Sequence, residues 1–257
     1  MSTFDEYSQQ YDHILMERRD GTLQMTLHTD GGPLRWGLRP QAQLVEALGA
    51  VGADRGNRLV ILTGTGEEFI GPRSDPHRTV YAEGGVELTP AGLDRVHWNA
   101  RRLVTRLLDI EIPMIAVVNG PAKRHAELAL MCDIVLAAED ATFEDTAHFQ
   151  LGGHVPGDGI NVVYTMLLGL NRARYLMLTG QVLSAAEAKD LGLVAEVMPR
   201  RALLPRAWEL ARQLAAKPDL LLRYTRLVLI HPLRKAIDEG LGYFLSLETL
   251  ATLDSHR

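Results

Sequence analysis

Residues 125–158 gather His125, Glu127, Asp145, His148, His154 and Asp158. Histidine titrates near neutrality, so a ring placed against water can take its proton. A carboxylate on the far ring nitrogen fixes the tautomer and stabilises the imidazolium. His148 and Asp158 suit that pair, because the segment between them holds Gly152, Gly153, Pro156 and Gly157 and can fold back. Plainer roles compete: His148 as a loop histidine on a backbone carbonyl, Asp158 as the N-cap of a helix that starts at Ile160. The same groups offer metal ligands, but no His-x-x-x-His spacing puts two of them on one helical face, and no metal is expected. His154 is expected to be an ordinary loop residue.

The elements around this cluster are predicted from periodicity and turn residues. His13 to Glu17 and Thr22 to Thr29 read as strands joined at the Asp20-Gly21 turn. Leu38 to Val51 has helical spacing. Arg58 to Leu62 is a buried strand ending at the Thr63-Gly64-Thr65-Gly66 turn, and 70–90 is a loop over a site. A long amphipathic helix is expected over Leu93 to Ile110. Strands are expected over Pro113 to Val118 and Asp133 to Ala138, with a short helix at Glu127 to Met131 between them. Residues 144–159 follow no period, and helical spacing resumes from Ile160 to Leu170. Further helices are predicted at Ala185 to Asp190, Leu204 to Ala216 and over the last forty or so residues. Strands alternating with helices imply an α/β fold with a mainly parallel sheet flanked by helices. The expected division is one domain over 1–257, with an α/β core in 1–200 and a C-terminal helical region in 201–257.

Composition sets limits. The chain has 257 residues, 46% hydrophobic and 23% charged, with a formal net charge of -5. That balance argues against nucleic acid as a partner. One cysteine, Cys132, excludes a disulfide framework within the chain and fits a cytoplasmic setting. The N-terminus lacks a basic start followed by an apolar run, and no apolar stretch is long enough to span a membrane. No Gly-x-Ser-x-Gly elbow or phosphate-binding loop is present, and Cys132 reads as a small buried hydrophobe.

From Pro113 onward, Asn119-Gly120, Glu127-Leu128-Ala129, Cys132-Asp133, Ala141-Thr142-Phe143, Pro156-Gly157 and Leu178-Thr179-Gly180 follow in order. With Val60 to Gly64 before them and Ala185 to Val197 after them, they resemble the crotonase (enoyl-CoA hydratase/isomerase) superfamily over nearly the whole chain. The departures bear on chemistry. Relatives that use CoA thioesters carry a glycine-rich turn after Asn-Gly, whose backbone N–H holds the thioester oxyanion. Here that turn reads Pro121-Ala122-Lys123-Arg124-His125-Ala126. The earlier oxyanion turn reads Gly71-Pro72-Arg73-Ser74-Asp75, and proline has no N–H to donate. Glu127 matches the first of two hydratase glutamates; the second falls near Ala147.

The altered pattern resembles the β-diketone hydrolases of the 6-oxocamphor hydrolase kind. These crotonase relatives cleave the C–C bond between two carbonyls by a retro-Claisen reaction without CoA, giving a keto acid. The resemblance implies catalytic roles for His148, Asp158, His125 and Glu248 and a substrate-binding Trp36, with no cofactor. It also implies a trimer or dimer of trimers acting on a small diketone. His125 would replace the missing backbone donors, and Trp36 would add an indole N–H. Glu248 would orient water or protonate the enolate carbon. A structural wall for Trp36, a solvated turn for His125 and an exposed helical position for Glu248 are the rivals. Gln41 stands where a histidine is expected, and the segment after His148 is one residue longer. The alternatives are a CoA-thioester hydratase, isomerase or decarboxylase, and a non-catalytic binding protein on the same fold.

Overall fold

The computed structural model describes residues 3–74 and 89–254. Most of the loop expected over 70–90 lies outside them. The strands are β1 (Ile14–Arg19), β2 (Thr22–Leu27), β3 (Leu34–Arg35), β4 (Leu59–Gly64), β5 (Ile70–Gly71), β6 (Met114–Val118), β7 (Ile134–Ala138), β8 (Thr142–Phe143), β9 (Leu183–Ser184) and β10 (Glu196–Met198). The helices are α1 (Phe4–Tyr7), α2 (Leu38–Ala53), α3 (Pro90–Asp109), α4 (Glu127–Leu130), α5 (Ile160–Leu168), α6 (Leu170–Thr179), α7 (Ala185–Asp190), α8 (Arg200–Ala215) and α9 (Asp219–Asp254).

The main sheet has the order β1-β2-β4-β6-β7-β10. Its β1–β2 edge is an antiparallel hairpin, and the remaining pairs are parallel. Asp20 and Gly21 turn the hairpin with φ of 48° and 78°, the left-handed geometry that short hairpins need. Every residue of β4 and β6 is buried, which is why neither shows polar alternation. On one side α8 packs against β4, β6 and β7, while α2 packs against α3 and α3 against α9.

A second, smaller layer matters more for function. β3 pairs with β5, and β8 with β9. Single bridges from Ala122 to Ile70 and to Phe143 join the two pairs. Short-range periodicity does not reveal this layer, because two residues are too few to alternate. Two predicted boundaries also move. Thr63 and Gly64 continue β4, since Thr26 and Leu27 of β2 pair with them. The helix expected from Ile160 to Leu170 breaks at Gly169, whose φ of 76° ends α5 before α6 begins.

Candidate active site

The small layer sets the site. Trp36 follows β3, and its backbone N–H donates to Gly71 O at 2.8 Å. The turn after β6 is stitched on both sides: Ala122 N–H donates to Thr142 O (2.7 Å), Lys123 N–H to Ile70 O (2.9 Å) and Glu144 N–H to Ala122 O (3.1 Å). Trp36, His125 and the 144–148 segment are thereby brought together at neighbouring strand ends. Loops at the carboxyl ends of parallel strands are where α/β folds place their sites.

His125 adopts φ of 52°, a left-handed conformation that ordinarily favours glycine. The turn keeps a glycine-like backbone shape and adds an imidazole, at a strain of roughly 1–3 kcal/mol. That ring lies against Trp36, with centroids 4.0 Å apart and planes 35° apart. Its Nδ1 is 2.7 Å from Glu127 Oε1 and 3.5 Å from Asp158 Oδ2.

His148 is 3% exposed and sits between two carboxylates. Nδ1 is hydrogen-bonded to Asp145 Oδ1 at 2.6 Å, and Nε2 faces Asp158 Oδ2 at 3.6 Å. The orienting carboxylate is therefore Asp145 rather than Asp158, a correction to the pairing expected from sequence. Asp145 and His148 are three residues apart in an aperiodic loop, a spacing that alone carries no helical signal. Asp158 lies one residue before Gly159, the N-cap of α5, and so is not itself the cap. Its Oδ1 accepts a long bond from Ile160 N–H (3.4 Å) at the start of α5, while Oδ2 faces both histidines.

Glu248 reaches the same cluster from the far end of α9. A side chain at Gly157 would strike Phe244 O at 2.6 Å and Glu248 Oε2 at 2.9 Å, so glycine lets the 144–159 loop lie directly on this helix. Glu248 as a residue is half-buried, but its Oε2 is shielded from solvent.

The charges follow from these contacts. Burial opposes a charged His148, yet Asp145 and Asp158 outweigh it and hold the imidazolium well above the usual range. Burial likewise opposes the Asp158 carboxylate, but the charges of His148 and His125 hold it well below its ordinary value. Glu248 is pushed up to about 8 by burial; His148 opposes this, and Asp158 and Asp145 add to it. Near neutral pH the site thus pairs a charged histidine with ionised Asp158 and a still-protonated Glu248.

All five residues expected from sequence, Trp36, His125, His148, Asp158 and Glu248, belong to this one constellation. Glu127 and Asp145 join it in roles that sequence did not assign. His154 lies in the loop, as expected, and is buried there, with Nδ1 3.2 Å from Thr252 Oγ1 on α9. Cys132 is buried as expected, its thiol pushed up to about 12 by burial and by Asp133. His125, Glu127 and Asp158 offer ligand atoms within 4.8 Å of one another. A cation there would have to displace the hydrogen bond between His125 and Glu127. Among the described residues no helix is long and apolar enough to cross a membrane.

The enoyl-CoA hydratase/isomerase family model matches residues 39–243. A β-diketone hydrolase from the cyanobacterium Anabaena sp. PCC 7120, solved bound to (S)-3-oxocyclohexyl acetic acid, is 38% identical. The alignment covers 98% of each chain with a TM-score of 0.92. The 1,2-epoxyphenylacetyl-CoA isomerase of Escherichia coli K12 is 32% identical over 206 residues, 80% of this chain and 77% of that protein. The 2,3-dehydroadipyl-CoA hydratase of the same organism is 28% identical over 246 residues, 95% of this chain and 92% of that one.

Proposed function

The chain belongs to the enoyl-CoA hydratase/isomerase family, and within it we propose a hydrolase that cleaves the C–C bond between the two carbonyls of a cyclic β-diketone. One observation carries this: His125, in the turn after β6, lies over Trp36, and buried His148 sits between Asp145 and Asp158. The likeness to a β-diketone hydrolase along 98% of the chain supports it.

Unprotonated His148 takes a proton from water through Nε2, while Asp145 holds Nδ1. Asp158, beyond Nε2, accepts a hydrogen bond from the O–H that the water keeps. The water oxygen bonds to one carbonyl carbon, and the tetrahedral adduct collapses by breaking the bond to the carbon between the carbonyls. Those electrons become an enolate on the second carbonyl, whose oxygen receives hydrogen bonds from His125 Nε2 and the Trp36 indole. Each such donor is worth roughly 10²–10³ in rate. Protonated Glu248 supplies the enolate carbon with its proton, leaving a keto acid. Water is the only co-reactant and no cofactor enters.

The keto acid in the Anabaena relative, a ring ketone with an acetic acid arm, has the two groups that such a cleavage leaves. Bicyclic diketones with the bridgehead carbon between the carbonyls are therefore the first substrates to offer. At least one is expected to gain one water in mass and yield a keto acid. Absence of turnover across the panel, with tight saturable binding of an acyl-CoA instead, would return the protein to CoA chemistry.

We further propose that the protein acts as a trimer or dimer of trimers in the cytoplasm. Exposed Leu220, Tyr224 and Val228 form a stripe on α9, and α6 exposes Leu170, Tyr175 and Leu178. Contiguous apolar surface of this kind marks an interface. Light scattering on the eluting peak is expected to give three or six times the chain mass. A monomer at micromolar concentration would contradict this.

A further inference from the structure

Glu127 stands where crotonase hydratases carry a glutamate, yet here it is turned onto a histidine. We infer that Glu127 is a positioning residue that keeps a hydrogen on His125 Nε2, making this nitrogen a standing donor. The inference rests on the diketone proposal only for the identity of the acceptor, the enolate oxygen.

The geometry allows little else. Glu127 is 1% exposed and His125 is 7% exposed. Nδ1 of His125 is engaged at 2.7 Å with Glu127 Oε1, so Nε2 is the ring nitrogen left for a ligand. Asp158 Oδ2, 3.5 Å from the same Nδ1, is too far for a good hydrogen bond but near enough to bring a second carboxylate against Glu127. Glu127 Oε2 is shielded and has no hydrogen-bond partner among the described residues. A buried carboxylate with one unsatisfied oxygen, beside another carboxylate, is costly to ionise alone. The His125–Glu127 pair therefore holds two hydrogens: one shared along Nδ1···Oε1, the other on Nε2. Burial pushes Glu127 upward, His125 opposes this and Asp158 adds to it, in keeping with that proton count. With one hydrogen fewer, Nε2 would present a lone pair to a forming anion and repel it.

The test uses protein labelled with ¹⁵N-histidine, with His125→Asn to assign the signal. In the free wild-type enzyme near neutral pH, His125 Nε2 is expected to carry a hydrogen. Glu127→Gln keeps this state, because its amide N–H donates to Nδ1. Glu127→Ala loses it and mixes the tautomers. On an accepted diketone, kcat should fall about 100-fold in the alanine variant with KM little changed, and stay within about tenfold in the glutamine variant. A bare Nε2 in the wild type, or a glutamine variant as impaired as the alanine one, overturns the inference. If no diketone is turned over, the proposed reaction fails, but the ring signals still decide the role of Glu127.

Discussion

Replacing His148 with alanine is expected to cut turnover of an accepted diketone by about 10²–10⁴-fold, the worth of a positioned base. The fold has to be checked beside it. Without the imidazolium, the buried carboxylates of Asp145 and Asp158 face each other with no cation between them. Breaking such a buried pair costs about 3–5 kcal/mol. His148→Gln, which keeps an amide in place, separates lost chemistry from lost stability, and circular dichroism melts score the second.

The pH dependence gives a sharper signature. A base must be unprotonated, and Asp145 and Asp158 hold His148 protonated well above the usual range. In the wild type, kcat/KM is therefore expected to climb with pH through neutrality. Asp145→Asn removes one of the two charges that favour the imidazolium, so the climb moves to lower pH while the maximum falls. Full activity in His148→Ala, or a climb that stays in place in Asp145→Asn, would sink this assignment.

The parts of the molecule visible in the sequence are those where burial imposes a pattern on contiguous residues. β4 and β6 read as strands because every side chain is buried, and α3 because one face is. The layer built from β3, β5, β8 and β9 is held by pairings far apart in sequence, and two-residue strands leave no periodic trace. The same limit applies at the site. His148 and Asp158 stand out as titratable residues in an aperiodic, glycine-rich loop, but which carboxylate takes Nδ1 depends on how that loop folds. It folds with Asp145 against Nδ1, and no spacing rule could have selected it over Asp158. His154 is a loop residue as read, but its burial is not legible locally: its partner Thr252 lies some hundred positions away.

Glu248→Gln is expected to lose turnover and gain stability, and the pH at which it gains tells why. The folded protein holds the Glu248 proton to about 8, whereas the exposed carboxyl of an unfolded chain releases it near the ordinary value of 4.5. Between those values the folded state binds more protons than the unfolded one, so wild-type stability falls as pH rises through this window. Glutamine cannot ionise, so the variant escapes this part of the fall. Denaturant melts at about pH 5 and about pH 9 should show the variant gaining on the wild type at the alkaline end. A gain of at least about 1 kcal/mol is expected, because a tenfold change in proton affinity between the two states is worth about 1.4 kcal/mol. Turnover should drop about 100-fold, since the amide has no acidic proton for the enolate carbon. The two losses of function differ in kind: His148→Ala stops attack by water, and Glu248→Gln stops the protonation that follows. Stability curves that run parallel from acid to alkaline pH would mean that Glu248 is ionised near neutrality. It would then have no proton to give, and the acid would have to be sought elsewhere in the site.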